Sequence, residues 1–106
     1  MTYPTFSGAW PALLTPATED GGVDEGALRN LTEILVSKGV GGLYLCGSTG
    51  EGDYLSVPER ERVTEVVMAQ VRGRVPILVH VGAVATRHSI ALARHARDAG
   101  ADGVAS

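Results

Sequence analysis

Short apolar runs alternate with amphipathic stretches along this chain, and that alternation limits the folds open to it more than any other feature. Ala9 to Leu14 reads as a first strand, closed by Thr15-Pro16 and the polar loop from Ala17 to Gly22. Asp24 sits where a helix N-cap belongs. Leu28, Leu31 and Leu35 then recur at helical spacing, and Gly39 stops the helix. Leu43 to Cys46 forms a second strand. Ser56 and Glu59 spell a capping box with Pro58 inside the first turn, and Val63, Val66, Val67 and Val71 give that helix a buried stripe. Pro76 to Val81 is apolar apart from His80, the pattern of a strand covered on both faces. Thr86 is placed to cap a third helix bearing Ile90, Ala93 and Ala96, which Gly100 ends. Gly103 to Ala105 opens a further strand.

The order β-α-β-α-β-α-β calls for parallel strands joined by right-handed crossovers. A weak internal repeat supports it: Gly39 with Gly42, and Gly100 with Gly103, mark the same helix end and strand start two βα units apart, each unit about 30 residues long. Repetition of this kind suits a (β/α)8 TIM barrel, which takes about 250 residues. On this reading residues 1–106 are one incomplete domain, the N-terminal portion of the barrel, with about four strands and three helices. The competing fold is a flavodoxin-like sheet, which needs another strand and helix after Ser106.

Composition narrows the partners. A formal charge of −3 and the absence of any Lys/Arg cluster exclude the electrostatic footprint of a nucleic-acid binder. No apolar run approaches the about 18 residues of a membrane span, and Met1-Thr2-Tyr3-Pro4 has neither the basic nor the apolar region of a signal peptide. The single cysteine, Cys46, excludes an internal disulfide, so a cytoplasmic protein is the simplest expectation. Lys38 is the only lysine.

In a parallel α/β fold ligands bind at the carboxyl ends of the strands. Gly47-Ser48-Thr49-Gly50-Glu51 occupies such an end, as do Thr15-Pro16 and the residues from Gly82 to Ala85. Two hydroxyls with backbone N–H groups beside them, between glycines that permit close approach, suit a small carboxylate or phosphate. The rival is a plain Ser/Thr turn cap. A P-loop is excluded by the missing lysine and spacing, and a dinucleotide fingerprint by the order of Gly47, Gly50 and Gly52.

The other chemistry-bearing residues have plainer readings. Glu51 reads as a local cap in preference to a general base. Cys46 reads as a buried strand residue, and His80 as a hydrogen-bonded structural histidine in preference to a catalytic one. His88 and His95, two helical turns apart, are too far apart to share a metal. Tyr54 points either into the mouth or toward a neighbouring subunit. No metal and no organic cofactor is expected.

At Ala12-Leu13-Leu14-Thr15-Pro16, Gly39 to Gly42, Gly47 to Glu51, Ser56 to Arg60 and Pro76 to Gly82, the chain resembles the pyruvate-dependent class I aldolases of the N-acetylneuraminate lyase / dihydrodipicolinate synthase superfamily. Ser48 and the run His80-Val81-Gly82 lean toward the lyase branch. The resemblance implies a TIM barrel, a homotetramer, and a lysine that forms a Schiff base with pyruvate. It implies that Ser48 and Thr49 hold the substrate carboxylate, of pyruvate or a keto-acid sugar, with Gly47, Gly50 and Glu51 supporting the turn and Ser48 relaying protons. The Schiff-base lysine and the proton-shuttling tyrosine of such enzymes belong to later strands. Lys38, at a helix end beside Gly39, is not assigned to catalysis, so the chain is expected to hold the carboxylate cradle without the nucleophile.

Overall fold

The computed structural model describes residues 10–47 and 55–105. Ser48, Thr49, Gly50, Glu51, Gly52 and Tyr54 lie outside the described residues. Helices α1 (Glu25–Ser37), α2 (Val57–Val71) and α3 (Thr86–Asp98) alternate with strands β1 (Leu43–Leu45), β2 (Ile77–His80) and β3 (Gly103–Ala105). The strands form one parallel sheet in the order β1-β2-β3, with Leu43 opposite Ile77 and Leu78 opposite Gly103.

The expected first strand is reduced. Ala12 makes a single parallel bridge to Tyr44, flanked by bonds from Leu13 N to Tyr44 O at 2.9 Å and from Tyr44 N to Pro11 O at 3.2 Å. Pro11 has no N–H to give a ladder, and Pro16 interrupts the segment again, so the pairing exists without a regular strand.

The helix ends follow local chemistry. Asp24 accepts from Ala27 N at 3.0 Å, and Ser56 with Glu59 closes both halves of a capping box. Gly39 and Gly100 adopt φ of 79° and 93°, the left-handed geometry that lets the chain leave a helix without a Cβ penalty. The cap expected at Thr86 is corrected: Thr86 is the first helical residue, and Ala85 occupies the N-cap without a side-chain acceptor. Ala85→Asp is therefore expected to stabilise the chain by about 1 kcal/mol, seen as a higher urea midpoint at unchanged slope.

All three helices lie against one face of the sheet. On that face Leu43, Leu45, Ile77 and Val79 are buried beneath Leu28, Val63, Val67, Leu92 and Ala96. The valine stripe of α2 is buried as its spacing requires. In α3 the core residue is Leu92, while Ile90 is 47% exposed, a correction that follows from the helix turning Leu92, Ala93 and Ala96 toward its neighbours. β2 is not covered on both faces among the described residues. Ile77 and Val79 are buried, whereas Leu78 and His80 are half-buried on the opposite, inner face.

Charged pairs tie the helices together at the surface. Arg62 binds Glu25 through Nε and Nη2, both at 2.8 Å, and Arg74 binds Glu33 at 2.7 and 2.9 Å. The bonds from Arg74, and then from Gln70, hold the Glu33 carboxyl at about 2 rather than 4.5. A depressed folded-state value means the stabilisation is complete above pH 4.5 and disappears as the pH falls toward about 2. The fall in Tm across that window should be shallower in Glu33→Gln than in the parent chain, and a parallel fall would contradict the account.

Candidate active site

Parallel strands deliver their carboxyl ends to one rim, and the sequence places its candidate residues there. Cys46 leaves β1 with φ of 61°, a left-handed conformation that aims the following Gly47 out of the sheet. Gly47 is packed closely: a Cβ there would lie 2.5 Å from Tyr44 Cε1, so Gly47 rests directly on the tyrosine ring. Gly82, at the end of β2, is restricted likewise, since its Cβ would lie 2.7 Å from His80 Nε2. Lys38 caps the C-terminus of α1, at the opposite rim from which β1 starts.

Two side chains fix this rim. Arg60, in the first turn of α2, is only 4% exposed. It donates from Nη2 to His80 O at 2.7 Å and from Nη1 to Gly82 O at 2.8 Å. Its cation thus meets two carbonyl dipoles at the end of β2. The second side chain, Tyr44, reaches along the inner face, with its hydroxyl 3.0 Å from His80 Nδ1 and ring centroids 6.2 Å apart. His80 is therefore hydrogen-bonded, as its place in an apolar strand suggested.

Neither Arg60 nor Tyr44 stands out from sequence as a site residue. Arg60 was legible in principle, because it shares the stripe of Val63, Thr64, Val67 and Val71, all buried. The Tyr44–His80 bond joins residues 36 apart and is visible only once the strands pair.

Cys46 is buried beside Arg60. Burial pushes its thiol up to about 11, against a smaller opposing pull from the guanidinium. At pH 8 it should therefore react with a disulfide reagent only at the rate of chain opening, far more slowly than a free thiol. Rapid labelling of the native chain would contradict this placement. Glu65 accepts a 2.7 Å bond from His95, which occupies that histidine in a contact between α2 and α3. His88 lines an open groove of about 510 Å³ between the start of α2 and the loop after β2, with Leu55, Pro58, Arg60, Ala83 and Val84. No cluster of three or more potential metal ligands occurs among the described residues. Nor is any helix there long and apolar enough to cross a membrane.

Compared with known families, residues 5–106 match the dihydrodipicolinate synthetase family. The chain belongs to that family. The 4-hydroxy-tetrahydrodipicolinate synthase of Acidiphilium cryptum is 46% identical over 99 residues, which are 93% of this chain and 34% of that enzyme. A prophage protein of the dihydrodipicolinic acid synthase family from E. coli K12, solved in complex with pyruvate, superposes with a TM-score of 0.90 at 37% identity, over 93% of this chain and 33% of that one. The catalytic lysine mutant of Ruminococcus gnavus sialic acid aldolase superposes with a TM-score of 0.93 at 35% identity, over 97% and 34% of the two chains.

The chain thus spans about a third of the length of these relatives of the dihydrodipicolinate synthetase family. Its parallel strands and helices match the N-terminal part of their TIM barrel. In that barrel the face carrying Tyr44, Leu78 and His80 is the interior, and the rim carrying Gly47 and Gly82 is the mouth.

Proposed function

We propose that this chain forms the N-terminal part of the single barrel domain of a pyruvate-dependent, Schiff-base-forming aldolase. Its part in the reaction is to hold the substrate carboxylate. The observation that carries the reading is Gly47 at the mouth end of β1, immediately before Ser48-Thr49 in the sequence, in a chain that superposes on a pyruvate-bound relative. Ser48 and Thr49 supply hydroxyls to the carboxylate, Gly50 and Glu51 support the turn, and Ser48 relays protons. The nucleophile is a lysine from later strands: its amine attacks the keto carbon, water leaves, and the iminium draws electrons from the carbon–carbon bond that breaks or forms. A cytoplasmic homotetramer without metal or organic cofactor belongs to the same reading.

A hybrid tests it. This chain replaces the matching third of the Ruminococcus gnavus sialic acid aldolase, and the folded product is treated with pyruvate and borohydride. A reduced pyruvyl adduct is expected, absent when the catalytic lysine of that aldolase is mutated. A folded hybrid that stays unmodified contradicts the proposal.

For the direction of the chemistry, Ser48 and His80-Val81-Gly82 support cleavage of a keto-acid sugar of the N-acetylneuraminate type. The 46% identity to a 4-hydroxy-tetrahydrodipicolinate synthase supports the second reading, the synthase. Hybrids built on each relative separate the two. The lyase reading expects the larger fraction of parental kcat/KM to survive in the sialic acid aldolase hybrid.

A further inference from the structure

The inner face of the sheet carries a polar pair that the carboxylate cradle does not use. Tyr44 on β1 and His80 on β2 are both half-buried on the side away from the helices, and the strand register puts His80 one step nearer the mouth than Leu78, the partner of Tyr44. Their 3.0 Å bond occupies His80 Nδ1. Nε2 makes no hydrogen bond among the described residues, and it is the ring atom nearest Gly82, two residues further toward the rim. The missing side chain at Gly82 leaves that edge of the imidazole uncovered from above. The 3.0 Å bond to the Tyr44 hydroxyl fixes the orientation of the ring and leaves Nε2 as the nitrogen that faces Gly82. The pair therefore presents one oriented ring nitrogen on the inner face, beside the Tyr44 ring against which Gly47 packs.

We infer that His80, held in place by Tyr44, is a substrate-contacting residue whose Nε2 hydrogen-bonds to the substrate beyond its carboxylate end, at a hydroxyl of the carbon chain that pyruvate lacks. The inference rests on the proposed carboxylate cradle. His80 is then a specificity residue that distinguishes a long oxygenated keto acid from pyruvate, and Tyr44 is its positioning residue. A purely structural pair would stabilise the sheet equally whatever ligand is bound.

The test uses the full 106-residue chain, labelled with ¹⁵N, and the hybrid aldolase. Long-range proton–nitrogen spectra should locate the His80 ring protons, and Tyr44→Phe should redistribute them. N-acetylneuraminate should move the His80 Nε2 signal, pyruvate should not, and His88 and His95 should stay in place under both. In the hybrid, His80→Asn should raise KM for N-acetylneuraminate about tenfold, with borohydride trapping of pyruvate within about twofold of the parent, as expected for loss of one hydrogen bond. Pyruvate trapping that survives while His80 Nε2 ignores N-acetylneuraminate and KM is unchanged overturns the inference and leaves the cradle standing. Absence of trapping in the parent hybrid overturns the cradle itself, and this inference with it.

Discussion

Replacing Arg60 with alanine is expected to cost the folded chain about 3–5 kcal/mol, a large share of an ordinary domain's stability. The guanidinium makes two charge-assisted bonds, to His80 O and Gly82 O, each of a kind worth about 1.5–3 kcal/mol. Both carbonyls lie at or just beyond the end of β2, where the guanidinium is the side chain that meets them. Arg60→Met keeps the apolar stem and should lose nearly as much. Arg60→Lys keeps the charge but cannot span two carbonyls with a planar fork, so it should recover only part. Urea unfolding of the three variants measures this, and a loss below about 1 kcal/mol in Arg60→Ala would show that water replaces the fork at no cost. The same substitution opens the rim beside Cys46, so thiol labelling should accelerate in Arg60→Ala through easier opening, against the smaller slowing that loss of the neighbouring cation brings by raising the thiol further.

Substituting both Ser48 and Thr49, to alanine and valine, is expected to weaken pyruvate trapping in the hybrid aldolase by more than a hundredfold. Each hydroxyl bonded to a carboxylate contributes about 1.5–3 kcal/mol, or roughly ten- to a hundredfold in affinity. If, as proposed, the turn holds the pyruvate carboxylate before and after the iminium forms, the loss should appear in the pyruvate concentration needed for half-maximal trapping. The limiting yield at saturation should change little. A double variant that traps pyruvate at the parental concentration would separate the hydroxyls from carboxylate binding.

The local features of this fold were legible because their causes are local. Asp24, Ser56 with Glu59, Gly39 and Gly100 each satisfy or release a helix end within a few residues, and all four behave as their spacing implies. The stripe of α2 was equally readable. Which face of α3 turns inward depends on where α2 and the sheet lie, and this is why Leu92 rather than Ile90 fills the core. The first strand looked complete because Ala9 to Leu14 is apolar, yet Pro11 withholds the N–H that a ladder needs.

The site divides the same way. Gly47 was readable as a glycine that permits close approach, but what approaches it is the Tyr44 ring of its own strand. Arg60 was readable only as the end of the Ser56 to Arg60 resemblance, because an arginine in a helix is ordinarily solvated and only the pairing of α2 with the end of β2 turns it inward. His80 was recognisable as bonded, while its partner across the sheet was fixed by register alone.

A crystal of the hybrid aldolase soaked in pyruvate decides which groups hold the carboxylate. The account expects the carboxylate of the bound acid within hydrogen-bond reach of the Ser48 and Thr49 hydroxyls, above Gly47 and Tyr44, with its keto carbon joined to the relative's lysine. Pyruvate joined to that lysine but with its carboxylate held by other groups, away from the Ser48-Thr49 turn, would contradict it.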